Sequence, residues 1–569
     1  MTPDHWNEAR IVPYIAILCC VSLIAGVIWS SDRALELTDE AYYLLSAIYP
    51  EQILLYISAQ HWILAPLWRL TESLQGFRLT GAGLLLGTAA ILAIGTLRLL
   101  GILTNWKPSL LVYFGVMAAG GIGALLYVAT IAPSPSYNLL ASAGAYGGLG
   151  LTFLAIKQRR ISVSFLLCFL AGLCLAISFV NKPSAGVCAT LVVFIVTLLL
   201  VPGWHKISFA WAGLSGVAST LALLVLMQPT EPSIQYSFTN GLELFRMVQT
   251  ESIHIRILRY FVTLAESIAK SLVSFWPVVI LSAASIFYPR PWLTPLTLCI
   301  LLLNIIAEKS YLFGMQSYGR AAEAIYVTVI ILAVSSFRQW KRNIDVMIVF
   351  ASLIILPFSV AMGTGNALFT QIIVTLAPWT IAATLLGVMK PENEQADLLQ
   401  KGLAVLLLTL VSIQILSSYT YQPYHLSAPL IGQTETVSVS SLGTLTVDKA
   451  TAQMLEDIDA ARATCAIASG ATFFGLFNVP GLALAFEAIP PVSPWLNNPA
   501  QAQAILNHWA PEPAERVIIV LSSEILNETK QLPAALRPEA NAYMFCGHSF
   551  IPYKAREIEI WASPIDQGT

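Results

Sequence analysis

A chain of 569 residues is long enough for several soluble domains, but 56% of it is apolar and only 11% is charged. Soluble proteins carry roughly 25% charged residues, so a chain this poor in charge cannot cover a water-facing surface. A net charge of −2 leaves no basic stripe for nucleic acid.

A bilayer core requires about 20 apolar residues per helix. Runs of that kind lie near 11–30, 79–100, 109–131, 138–156, 161–180, 184–202, 207–228, 268–288, 291–307, 321–337, 344–362, 367–389 and 401–417. The pattern predicts a polytopic α-helical membrane protein of about 13 spans. The first run is long for a cleaved signal peptide, and only Arg10 precedes it as a basic flank. Two intervening segments, about 31–78 and 229–269, mix aromatic, apolar and charged residues, as helices lying flat at the membrane surface do. The run Gly144 to Gly150 lies inside a span and reads as close helix packing through small residues.

From about 419 onward the pattern changes. Thr436 to Ser440 alternates like a strand, Asp448 to Ala463 reads as a helix with Asp448 as its N-cap, and Val517 to Leu521 and Ala555 to Trp561 read as strands. The expected division is a membrane domain over 1–418 and a small α/β domain over 419–569. Lys and Arg gather in one set of short loops, Lys157-Gln158-Arg159-Arg160 and Arg338-Gln339-Trp340-Lys341-Arg342 most densely. That bias puts the N-terminus in the cytoplasm and the C-terminal domain outside an inner or plasma membrane. Cys465 and Cys546 both lie in that domain, and in an oxidising compartment they are expected to pair; two unpaired buried thiols are the alternative.

Charge inside the spans is scarce and what exists hugs one surface, the outer one, so the bilayer centre is almost empty of it. A pump or ion-coupled transporter keeps ionisable groups at mid-depth, whereas chemistry on one membrane face does not require them. The sharpest local feature is Leu37-Thr38-Asp39-Glu40-Ala41-Tyr42-Tyr43, just after the first span. Adjacent carboxylates on a helix cannot point the same way, so one faces a cavity while the other supports or caps. By spacing alone, Asp39 also reads as an N-cap opening an interfacial helix, assisted by Thr38.

An Asp-Glu pair in the first external loop, followed by small and aromatic residues, resembles the signature of the GT-C superfamily of membrane glycosyltransferases. The protein O-mannosyltransferases and lipid A aminoarabinose transferases are the most similar groups. The overall layout is similar too: about a dozen spans, interfacial helices in the first loop and a C-terminal domain outside. The resemblance implies an inverting glycosyltransferase with a polyprenyl-phosphate sugar as donor and a glycan, lipid or protein as acceptor. Asp39 would be the catalytic base and Glu40 its neighbour at the reacting centre.

Such chemistry requires a carboxylate to take the acceptor's proton and cations to hold the departing phosphate at headgroup depth. Lys182, Lys309 and Arg320 sit at outer helix ends, and Arg256 and Arg259 share a helix face. Each also reads as an anchor reaching from the apolar layer to water. Tyr42, His61, Tyr137, Asn138, Tyr311, Tyr318 and Asn366 are the candidate sugar or acceptor pocket; tight turns and helix caps explain several of them equally well. No second histidine accompanies His61, so no metal or other cofactor is expected, although the resemblance leaves a divalent cation open. Three rivals remain: a lipid-linked sugar transporter or flippase, an oligosaccharide ligase or polymerase of related fold, and a scaffold whose tail is the active part.

Overall fold

The computed structural model describes residues 10–129, 132–228, 233–247, 253–288, 290, 292–307, 318–340, 343–363, 367–389, 394–421, 425–509, 516–522, 532–538 and 541–564. α1 (Ile11–Ser30) leads into two short helices, α2 (Asp39–Ile48) and α3 (His61–Arg69). Then come α4 (Leu74–Thr104), α5 (Leu110–Leu125), α6 (Tyr137–Ala155), α7 (Ile161–Asn181), α8 (Pro183–Leu200) and α9 (His205–Met227). α10 (Ile234–Arg246) and α11 (Ile253–Ser274) precede α12 (Trp276–Phe287), α13 (Leu293–Ala307) and α14 (Tyr318–Trp340). The bundle ends with α15 (Ile344–Ala361), α16 (Leu368–Ile372), α17 (Ala377–Val388) and α18 (Glu394–Thr420).

All thirteen apolar runs fall on helices, but they are not thirteen equivalent spans. Among the described residues, eight helices are long and apolar enough to cross a membrane, and two bent pairs raise the number to ten. α11 and α12 meet at 74°, with Pro277 opening α12; α16 and α17 are separated by a 70° bend, with Pro378 opening α17. Proline cannot supply the amide that would continue the preceding helix. α6 is outside that number for a different reason. It lies inside the bundle, with Asn138, Ser142, Tyr146 and Thr152 all buried. A helix ringed by other helices can carry small and polar residues that lipid would not accept. Glycine sets the spacing there: a Cβ on Gly95 of α4 would overlap the Gly150 carbonyl of α6.

The outer helices instead expose apolar side chains, with Leu226 at 82% and Trp211 at 68% exposure on α9. An exposed apolar belt of this extent marks an integral membrane protein.

The tail opens with a hairpin of β1 (Glu435–Val439) and β2 (Gly443–Val447), whose turn Gly443 closes at φ +87°. α19 (Lys449–Thr464) follows, and the Asp448 carboxylate accepts from the Ala450 and Thr451 amides at 3.1 and 3.2 Å. Then come β3 (Thr472–Leu476), α20 (Gly481–Ala485), α21 (Pro499–His508), β4 (Val517–Ser522), β5 (Met544–Ile551) and β6 (Arg556–Ala562). The four later strands form one sheet in the order β3-β4-β6-β5, with β3 and β4 parallel and the other pairs antiparallel. Cys465, after α19, is disulfide-bonded to Cys546 in β5.

The tail does not hang free. Leu244 of α10 and Leu55 of the first loop lie in one apolar cluster with Phe474, Ile505 and Ile519 of the tail. Ala34 donates to the Thr446 carbonyl at 2.8 Å, and Gly481 donates to the Leu37 carbonyl at 2.9 Å. The tail thus covers the segment that carries Asp39.

Candidate active site

α2 is started by a residue outside the expected motif. Glu36, 3% exposed, accepts the Thr38 amide at 2.8 Å and the Glu40 amide at 2.6 Å, and also the Thr38 hydroxyl. A carboxylate at this position satisfies amides that a helix start leaves unpaired and complements its dipole. The expected Asp39 cap is therefore corrected: Thr38 is the capping residue by position, its side chain makes no cap bond, and Asp39 is the first helical residue. Burial raises the Glu36 carboxyl, as does the Asp39 charge; His425, Thr38 and the Glu40 amide pull the other way. His425, from the linker after α18, lies 3.6 Å from Glu36, and its Nδ1 is 2.7 Å from the Thr38 hydroxyl.

Successive helical residues diverge by about 100°, and the Asp-Glu pair splits accordingly. Glu40 is fully buried. Arg78 of α4, 2% exposed, grips it twice: Nε to Oε1 at 2.7 Å and Nη2 to Oε2 at 2.5 Å. Ser134 donates to the same Oε1 at 2.5 Å. Arg78 spends its other N–H groups on the carbonyls of Ser31, Arg33 and Ala34, at 3.2, 2.6 and 3.0 Å. Glu40, expected at the reacting centre with Asp39, is thus placed in a buried fork-to-fork ion pair. Holding a guanidinium with both oxygens, its carboxylate anchors the loop.

Asp39 is half-buried on the other side. Its charge reaches a ring of tyrosines: burial first, then Asp39, raises the Tyr42 hydroxyl, and burial, Tyr137 and Asp39 raise that of Tyr43. Tyr43 packs edge-on against Tyr137 at 5.8 Å, and Tyr42 against Trp495 of the tail at 5.3 Å. Asn138 follows Tyr137 at the start of α6, and its Oδ1 accepts from Lys182 Nζ at 3.3 Å and Gln371 Nε2 at 3.2 Å. Lys182 joins α7 to α8, outside both helices, and is 5% exposed. Its ammonium also donates to the Val360 carbonyl at 3.1 Å, and no carboxylate pairs with it among the described residues. Burial pulls the ammonium down to about 7.

Asp39, Tyr42, Tyr137, Asn138 and Lys182, chosen from sequence, therefore line one continuous region. His61 is buried in α3 between Tyr56 and Trp62, at ring distances of 4.6 and 5.1 Å, and burial lowers it to about 3. It is a neutral group there. Arg256 stacks over Phe245 at 5.1 Å, and Arg259 is exposed one turn further along α11. Lys309, Tyr311 and Asn366 lie outside the described residues, as do the side chains of Tyr318 and Arg320. No group of three His, Cys, Asp or Glu that could hold a metal occurs among the described residues.

Sequence reasoning missed Glu36, Arg78, Gln371, His425 and Trp495. Arg78 and Gln371 carried a signal, since each is a lone polar residue in or beside an apolar run. His425 and Trp495 carried none.

Fold and site together define a polytopic helical membrane protein with a carboxylate and a buried cation at one end of its bundle. The chain matches no family model and no curated protein. Similar solved structures include ArnT from Cupriavidus metallidurans bound to undecaprenyl phosphate, with 11% identity over 96% of this chain and 97% of that one, at a TM-score of 0.41. The apo state of ArnT has the same identity and coverage at a TM-score of 0.39. Arabinosyltransferase EmbB from Mycobacterium smegmatis is 14% identical over 74% of this chain and 42% of that one, at 0.29. Likenesses with TM-scores this low do not define the site; its own residues do.

Proposed function

We propose that the chain is an inverting membrane glycosyltransferase of the GT-C kind. It would transfer a sugar from a polyprenyl-phosphate donor to an acceptor hydroxyl on the outer face of the membrane. The observation that carries this reading is Lys182. A buried ammonium that no carboxylate among the described residues pairs with calls for an anion, and it stands in line with Asn138, Tyr137 and a half-buried carboxylate. A lipid phosphate brings that anion to the end of an apolar bundle.

Asp39 takes the proton of the acceptor hydroxyl. The acceptor oxygen attacks the anomeric carbon from the face opposite the phosphate. The carbon–oxygen bond to phosphate breaks, and polyprenyl phosphate leaves with the electron pair, steadied by Lys182. Attack opposite the leaving group inverts the anomeric configuration. Arg256, Arg259, Lys309 and Arg320 are the further candidates for phosphate contacts. Tyr42, His61, Tyr137, Asn138, Tyr311, Tyr318 and Asn366 are candidates for the sugar and acceptor. The tail, whose Trp495 meets Tyr42, shapes the entrance. Neither a metal nor any other cofactor is assigned a step.

The test is turnover of a panel of polyprenyl-phosphate sugars by the protein in lipid nanodiscs, wild type beside Asp39→Asn. Wild type is expected to transfer or release one sugar, and the variant to lose about 10²-fold or more, as for a missing general base. A wild type inert on every donor, or a variant of equal activity, would reject the proposal.

A further inference from the structure

Where the start of α3 meets the end of α7, several buried polar atoms have unfinished bonding among the described residues. Among the described residues, Gln60 Nε2 and Oε1, His61 Nε2 and Asn181 Oδ1 are buried without a hydrogen-bond partner, and Trp62 Nε1 approaches the Tyr56 hydroxyl without closing a bond of normal geometry. Gln60, His61 and Asn181 are each 1% exposed. The Gln60 amide approaches the Tyr42 hydroxyl without closing a bond of normal geometry.

These residues come together although they belong to different parts of the chain. Ser58 donates to the Asn181 carbonyl at 2.7 Å, and the Ala59 amide donates to the Val180 carbonyl at 3.3 Å, so the start of α3 rests on the end of α7. Asn181 spends its Nδ2 on the Ile177 carbonyl at 2.7 Å, leaving Oδ1 bare. Lys182 is the next residue. On the other side, Tyr42 stands one helical turn from Asp39. Buried polar groups in native proteins are overwhelmingly paired, so a cluster of unpaired ones marks where another molecule bonds.

The kind of molecule follows from the inventory. Gln60 Nε2 and Trp62 Nε1 are donors. Gln60 Oε1 and Asn181 Oδ1 are acceptors. A neutral His61 nitrogen serves as either, by tautomer. A mixed set of this kind suits hydroxyls, each of which donates and accepts. An ammonium would leave the donors unanswered and a carboxylate would leave the acceptors so, and either charge would be buried among neutral groups.

We propose that Gln60, His61, Trp62 and Asn181 form the sugar subsite, and that it takes a neutral, hydroxyl-rich sugar rather than an amino sugar or a uronic acid. The inference rests on the proposed transfer reaction, because it places the sugar between the base and the phosphate-binding lysine.

Binding separates the two claims. The purified protein, with Asp39→Asn to stop turnover, is titrated with one polyprenyl phosphate bearing no sugar, a neutral hexose, an amino hexose or a uronic acid. The neutral donor is expected to bind about tenfold or more tighter than the charged ones and than the bare lipid. Gln60→Leu, read beside His61→Phe, should erase that preference while retaining the bare lipid. With no ligand present, Gln60→Leu should also raise the Tm, because an unpaired buried amide has become an apolar side chain of similar size. A charged donor bound best, or variants that keep the preference, would overturn the subsite while leaving the transfer reading in place. The same holds if Gln60→Leu lowers the Tm, as it would if water already satisfied these atoms. Should no donor bind more tightly than the bare lipid, both claims fail together.

Discussion

Arg78 spends every donor it has inside the protein, on Glu40 and three carbonyls. Arg78→Met leaves Glu40 as an uncompensated buried charge, and the expected destabilisation is about 3–5 kcal/mol. Thermal unfolding in detergent reads it, and a variant within error of wild type would show that the pair is solvated. Lys182 makes a prediction in pH. Burial lowers its ammonium to about 7, so the charge is present below that pH and lost above it. Above pH 7 a bound phosphate must draw a proton onto Lys182. Affinity for polyprenyl phosphate should therefore fall by about tenfold per pH unit there. Lys182→Arg, which stays charged, should flatten the profile. An unchanged slope in that variant would place the titrating group elsewhere. At this scale the Asp39-Glu40 pair stood out, because an acidic pair is conspicuous in a charge-poor chain. The different surroundings of its two members did not, since Arg78 lies 38 positions from Glu40.

Helices were largely legible, because apolar runs and capping residues act locally. Asp448 is an example: its carboxylate takes the two amides its position predicted. α6 shows where local reading ends. Its burial follows from α4 and α7 packing on both sides, and glycine makes that packing possible. Besides the overlap of a Gly95 Cβ with the Gly150 carbonyl, a Cβ on Gly150 would sit 2.7 Å from the Leu92 Cα. Gly95→Leu should therefore push α4 and α6 apart, at about 1–3 kcal/mol or more. It should also lower transfer, because α6 carries Tyr137 and Asn138. Unfolding and turnover measured together test this. A loss of activity without loss of stability would contradict a packing role.

At the scale of the whole molecule, the tail is what holds Asp39 in place from above. The Gly481 amide bonds the Leu37 carbonyl, and a Cβ on Gly481 would come within 2.6 Å of the Leu37 Cα. Gly481→Val should lift the tail from α2 and speed amide exchange there. Turnover should fall by about tenfold or more, as small misplacements of reacting groups do, although no group at the centre is altered. Protection in α2 equal to wild type would mean that the first loop orders itself. The sequence alone determined that this is a membrane protein, where its apolar helices lie and which carboxylate pair to watch. Hydropathy, capping and charge scarcity are properties of neighbouring residues, and they survive without a fold. Only the tertiary structure decided that Glu40 is buried in a fork with Arg78 and that Asp39 is half-buried beside a ring of tyrosines. It also decided that Lys182 is buried with no counter-ion among the described residues and that Arg33 meets Gln433 across 400 positions to seat the tail over the site. Those facts are sums over contacts between distant parts of the chain, and no local pattern encodes them.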